Sequence, residues 1–274
     1  MLMSIVTTDW LINNLNNVKL IDSSWHLPNE MRDAIKEYSN EHIINSVFFD
    51  IDKNSDQETD LPHMLPSAKK WEDIVSNLGI SNKDNIIIYD NSDVISSCRC
   101  WYTFRHFGHD PRLVSVLDGG LKKWKQEGKP TVKYETNINK SIYKALENKD
   151  MVKSKSDIDE NIKLKNFKLV DARSYERFKG MVPELRTNVK SGSIKGSYCL
   201  PFTKVINKNN NTFKNSNELN QIFKEVIDTE DNNIVFSCGS GVTASVLALA
   251  YSLINNKYTP TIYDGSWSEY GLIK

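Results

Sequence analysis

Residues 234–253 read IVFSCGSGVTASVLALAYSL. Ile234-Val235-Phe236 has the length and β-branched content of a buried strand, and Val242 onward is a helix-forming run. Between them lie Cys238 and the turn Gly239-Ser240-Gly241. Strand, glycine turn and helix in succession form the building block of a parallel α/β sheet. The two glycines let the backbone curl so that consecutive N–H groups face one point. The helix that follows adds the positive end of its dipole, which favours an anion by about 0.3–2 kcal/mol. A thiol at the lip of such a nest gives up its proton more readily than a free one. A buried cysteine closing a strand is the commoner role for an isolated Cys, but glycines on both sides of Ser240 and the helix start beyond favour chemistry here.

Working outward, the strand at 234–236 has an echo upstream. NIVFSCGSG matches NIIIYDNSD, with Asp90 and Cys238 148 residues apart. FKLVDARS matches VKLIDSSW, with Asp22 and Asp171 149 apart. SGSIKGSYCLPF matches EHIINSVFFDID, with His42 and Ser193 151 apart, and IYDGSWSEY matches VLDGGLKKW, with Asp118 and Asp264 146 apart. Four landmarks in one order at nearly the same offset argue for two copies of a domain. The predicted fold is α/β: two tandem domains, each a mostly parallel sheet flanked by helices. The predicted limits are 1–135 for the first domain, 136–155 for a polar, lysine-rich linker and 156–274 for the second. Helices are expected over 71–78 and 219–227, the latter capped by Ser216-Asn217. The asparagine-rich run at 208–217 reads as a solvated loop.

Composition narrows the function. The chain has 274 residues, enough for two domains, with 39% hydrophobic and 26% charged residues. Its 35 basic and 35 acidic residues cancel, whereas a nucleic-acid binder usually carries a basic surplus. No stretch approaches the roughly 18–20 apolar residues that span a bilayer. The opening MLMSIVTTDWLINNL lacks the basic region and small-residue cleavage site of a secretory signal. Four cysteines do not make a disulfide framework in a chain of this size. The expectation is a cytoplasmic protein that binds neither nucleic acid nor membrane. Cys98-Arg99-Cys100 opens an aromatic helix, has no second ligand pair, and is not expected to hold a metal.

The loop 238–244, Cys-Gly-Ser-Gly-Val-Thr-Ala, resembles the active-site loop of the tandem-domain rhodanese family, on its 3-mercaptopyruvate sulfurtransferase side. The resemblance extends through Phe48-Phe49-Asp50-Ile51-Asp52, His63-Met64-Leu65-Pro66, Leu117-Asp118-Gly119-Gly120, Asp171-Ala172-Arg173, Pro183-Glu184-Leu185-Arg186 and Tyr263-Asp264-Gly265-Ser266-Trp267. It implies a silent first domain, and Asp90 indeed occupies the repeat position of Cys238. It implies that Cys238 takes up sulfur as a persulfide, that Arg177 and Arg186 hold the carboxylate and carbonyl of the donor, and that Asp52, His63 and Ser240 relay protons. Gly239, Gly241, Val242 and Thr243 complete the donor-binding loop. The family's Gly-His-Ile-Pro-Gly segment reads Gly192-Ser193-Ile194-Lys195-Gly196, a change of loop support that removes no catalytic group.

The implied reaction moves sulfane sulfur from 3-mercaptopyruvate to a thiophilic acceptor such as cyanide, a small thiol or thioredoxin, releasing pyruvate without a cofactor. A planar carboxylate suits an arginine fork. Members that prefer thiosulfate carry basic residues after the cysteine, where Gly239 and Ser240 bring no charge. Thiosulfate:cyanide transfer and a non-catalytic persulfide carrier are the alternatives. A cysteine phosphatase requires an arginine closing a Cys-x5-Arg loop, and that position is Ala244. Arg177 and Arg186 could equally serve as surface ion-pair partners of nearby acids. His63, between Pro62 and Pro66, is expected in a rigid loop at a cleft, bringing part of the first half to the active site.

Overall fold

The computed structural model describes residues 4–273. The chain forms two compact units, each built on a five-stranded, wholly parallel sheet. The first unit runs through 57 and adds 65–148 and 208–213; the second takes 58–64, 149–207 and the residues from 214 on.

In the first unit the strands are β1 (Ile5–Val6), β2 (Lys19–Asp22), β3 (Ser46–Phe48), β4 (Ile86–Tyr89) and β5 (Val114–Leu117), ordered β1-β5-β4-β2-β3. In the second they are β6 (Val152–Lys153), β7 (Lys168–Asp171), β8 (Tyr198–Cys199), β9 (Ile234–Ser237) and β10 (Ile262–Tyr263), ordered β6-β10-β9-β7-β8. The two orders coincide strand for strand. Register agrees as well: Asp22 pairs with Phe48 and Tyr89, and Asp171 with Cys199 and Ser237. The internal repeat is therefore a repeat of architecture.

Central strands β4 and β9 are buried along their whole length, which is why each reads as an unbroken apolar run rather than an alternating one. Leu20, Ile87, Leu117 and Trp124 share one core, while Ile158, Leu169, Val235, Tyr263 and Trp267 share another. Trp101, Phe104 and Phe107 are fully buried, as an aromatic core helix requires. The helix Val242–Ser252 is apolar on nearly every side and buried accordingly.

Three local readings change. The helix predicted over 219–227 spans Ser216–Lys224, and its cap is Asn215: that side chain accepts the N–H of Asn217 and Glu218, while the Glu218 carboxylate accepts the Asn215 N–H. The run at 208–217 is less solvated than its composition suggests. Phe213 is buried and its N–H donates to the Asp118 carboxylate at 2.8 Å. Within 136–155, Tyr143 is buried and Val152–Lys153 forms β6. Among the described residues, no helix is long and apolar enough to cross a membrane.

Candidate active site

Strand β9 delivers Cys238 to its carboxyl end, where ligands of parallel sheets bind. Three hydrogen bonds pin the loop to the helix Ser266–Tyr270. The Cys238 N–H donates to Ser266 Oγ at 3.1 Å, Trp267 N–H donates to the Cys238 carbonyl at 2.9 Å, and Ser268 N–H donates to the Gly239 carbonyl at 2.8 Å. Gly241, at φ 82°, then turns the chain into the helix Val242–Ser252. No side chain caps that helix. Its first N–H groups have no intrahelical acceptor and remain for an anion at the loop.

Cys238 is 2% exposed, so the thiol lies on the floor of the loop rather than at its lip. Three further thiols lie elsewhere in the fold. Burial pushes those of Cys98 and Cys100 up, and that of Cys199 up to about 11, which holds all three protonated at neutral pH.

His63 reaches this loop from within the second unit, to which residues 58–64 belong. Its Nδ1 lies 2.8 Å from Ser240 Oγ, and both residues are buried. His63 is held at φ 61°, a left-handed conformation uncommon outside glycine. The segment 58–64 thus supplies the imidazole to the loop of its own unit. Asp52 lies exposed on the first unit and accepts the Trp25 indole N–H at 3.0 Å.

Arg177, on the short helix Tyr175–Phe178, faces the loop: a Cβ added at Gly239 would sit 3.4 Å from Arg177 Nη2. That same Nη2 donates to Glu184 Oε2 at 2.5 Å. The guanidinium is therefore both an ion-pair partner and a wall of the loop. Arg186 is half-buried, and its carbonyl accepts the Val189 N–H at 3.2 Å. Gly239 and Thr243 are the partly accessible members of the loop, while Ser240, Gly241 and Val242 are buried.

The first unit shows what becomes of the same turn without a cysteine. Asp90 Oδ1 accepts the Ser92 N–H at 2.9 Å and Oδ2 accepts the Ser97 N–H at 2.9 Å, at the start of the helix Ser97–His106. The protein's own carboxylate fills the nest there, and burial pushes its carboxyl group upward from the ordinary aspartate range.

A family model described as rhodanese-like domain matches twice, over residues 7–127 and 154–272. The chain belongs to the tandem-domain rhodanese family of sulfurtransferases. Among curated relatives, this rhodanese is 36% identical to 3-mercaptopyruvate sulfurtransferase of Mus musculus over 97% of its length and 91% of the relative's. It is also 36% identical to thiosulfate sulfurtransferase of Rattus norvegicus, with the same coverage. Among solved structures it resembles SseA of Escherichia coli, a 3-mercaptopyruvate sulfotransferase, with a TM-score of 0.86 and 31% identity over 97% of this chain and 99% of that one. Equal identity to both kinds of relative leaves donor choice to the site.

Sequence reasoning missed the supports of this rhodanese site. Arg173 is 2% exposed; its guanidinium grips Asp171 through two nitrogens, donates to Glu184 Oε1 at 2.7 Å and to the Gly192 carbonyl at 2.8 Å, and stacks 4.7 Å over Trp267. An acid two residues before an arginine was visible in Asp171-Ala172-Arg173, but its burial was not. Ser266 and Trp267 lay in a quoted motif without a role.

Proposed function

We propose that this rhodanese transfers sulfur from 3-mercaptopyruvate through a Cys238 persulfide to a thiophilic acceptor. The observation that carries the donor reading is the Arg177 guanidinium lying against Gly239, the residue after the nucleophile. A fork-shaped cation there suits a planar carboxylate, and the loop brings no further charge of its own for a compact dianion. Arg186 is the second donor-binding arginine, with Gly239, Gly241, Val242 and Thr243 as the walls of the pocket.

In the first half-reaction the Cys238 thiolate attacks the donor's sulfur. An S–S bond forms, the C–S bond breaks, and its electron pair leaves on carbon as the enolate of pyruvate. A proton completes pyruvate, and the donor thiol's own proton balances it. Ser240 and His63, already hydrogen-bonded, are the groups that pass it. The persulfide left on Cys238 is held by the amides of the loop and the helix start. In the second half-reaction an acceptor such as cyanide, a small thiol or a thioredoxin-like dithiol takes the outer sulfur. No cofactor is needed to balance either step. Because Cys238 is 2% exposed, donor entry requires the loop or the Arg177 side chain to give way.

All four cysteines are free thiols, which suits a reducing compartment; we place the protein in the cytoplasm, although one relative, from Arabidopsis thaliana, is named mitochondrial. The test is an assay of pyruvate and thiocyanate after mixing protein, 3-mercaptopyruvate and cyanide, run beside thiosulfate. Repeated turnover with a higher kcat/KM for 3-mercaptopyruvate is expected. A preference for thiosulfate would reassign the donor, and one sulfur per chain without turnover would make the protein a carrier.

A further inference from the structure

Arg177 is not held by the loop it faces. Its Nη2 donates to Glu184 Oε2 at 2.5 Å and its Nε lies 3.4 Å from Glu184 Oε1. The Glu184 side chain is 5% exposed, against 25% for Arg177, so the carboxylate is the fixed member of the pair. Glu184 is fixed in turn by Arg173, whose Nη1 donates to Oε1 at 2.7 Å. Arg173 is locked from four sides: Asp171 at the end of β7, the Gly192 carbonyl, Glu184 and the Trp267 ring. Trp267 closes the circuit, because its own N–H holds the Cys238 carbonyl. One rigid frame therefore sets both the nucleophile's strand end and the arginine beside it.

The arrangement is costly unless it does something. Glu184 and Arg173 are nearly buried ions, and such charges are retained only where partners surround them. Asp171 with Arg173, and Glu184 with Arg177, balance in charge. Packing needs alone would be met by the first pair, which is complete without Glu184. The second pair serves the side chain that stands against Gly239.

We propose that Glu184 is a positioning residue that aims the Arg177 guanidinium at the donor bound over Cys238, with Arg173 as its anchor. The inference rests on the donor reading given above and extends it to residues that touch no reacting atom. An arginine on a short helix has several rotamers; two hydrogen bonds to an immobile carboxylate leave one. Misplacing a substrate-orienting group by about 1 Å costs roughly 10²-fold in rate.

The test is a double-mutant cycle with 3-mercaptopyruvate as donor and cyanide as acceptor. Glu184→Gln, which keeps size and one acceptor oxygen, is expected to lower kcat/KM by about 10²-fold, and to add nothing in an Arg177→Ala background. Arg173→Lys, which keeps the charge but loses the fork, is expected to repeat that pattern. A merely structural role would depress both backgrounds alike. Full kcat/KM in folded Glu184→Gln, or losses that multiply with Arg177→Ala, would overturn the inference. If Glu184→Gln does not fold, the Arg173→Lys arm decides on the same terms. Wild-type protein that produces no pyruvate would remove the donor reading itself, an outcome distinct from an active wild type with an indifferent Glu184.

Discussion

His63 Nδ1 stands 2.8 Å from Ser240 Oγ, although 177 positions separate the two in the chain. The contact joins an imidazole in a left-handed loop conformation to the middle residue of the catalytic turn. It gives the loop an imidazole that can hold a proton and a hydroxyl to pass it. Positioned acid–base groups of this kind contribute about 10²–10⁴-fold to a rate. We expect Ser240→Ala and His63→Gln each to lower kcat by at least about tenfold, and the pair together to cost little more than either alone. Steady-state pyruvate release measures this. Independent, multiplying losses would show that the two do not act as one relay.

The two glycines flanking Ser240 make opposite demands. Gly241 sits at φ 82°, where an L side chain is strained, while Gly239 is not in that region and a Cβ on it would make only ordinary contact with Arg177. Gly241→Ala is expected to destabilise the protein by on the order of 1 kcal/mol or more and to disturb the helix start. Gly239→Ala is expected to leave stability within about 0.5 kcal/mol and to act, if at all, on KM. Chemical denaturation of both variants provides the comparison; equal losses would contradict it.

Asp118 offers a check on the first unit. Burial raises its carboxyl from 3.8 to about 6 while Phe213 N–H donates to it. A raised carboxyl means that the folded state binds the proton more tightly than the unfolded chain. Stability from this group therefore falls as pH climbs from about 4 to about 6, and the full penalty persists above. Asn in its place keeps the acceptor and loses the charge. Asp118→Asn should gain on the order of 1–3 kcal/mol at pH 8, fading towards zero by pH 4. Denaturant midpoints at the two pH values would expose a gain of the same size at both, which this account does not allow.

Donor selectivity is the fourth expectation. Arg186→Ala should raise KM for 3-mercaptopyruvate by about tenfold or more, and affect thiosulfate much less, because only the former offers a carboxylate for a fork. Parallel kinetics with both donors decide the matter. Equal changes would remove Arg186 from the carboxylate clamp.

Much of this was legible in the chain. Wholly buried central strands announce themselves as Ile86–Tyr89 and Ile234–Ser237, and four repeated landmarks fix the doubling. The loop at Cys238 was readable because glycine spacing carries backbone geometry. The Asn215 cap was misread by one residue, since adjacent polar residues are equally able to cap and only the Glu218 partner distinguishes them. The burial of Phe213 was hidden in an asparagine-rich run, and its anchor, Asp118, lies 95 positions away. The Arg173–Glu184–Arg177 chain was hidden for a different reason. Charged residues read as surface by default, and nothing local says that two of these three side chains are nearly buried.

The most direct measurement is the intact mass and peptide map of the protein after 3-mercaptopyruvate is added without an acceptor. One added sulfur atom per chain, on the Cys238 peptide, released by cyanide and absent from Cys238→Ser, is the expected result. Cys98→Ser, Cys100→Ser and Cys199→Ser proteins should load as the wild type does. Sulfur found on Cys199, or pyruvate formed at the wild-type rate by the Cys238→Ser protein, would contradict the assignment of the nucleophile.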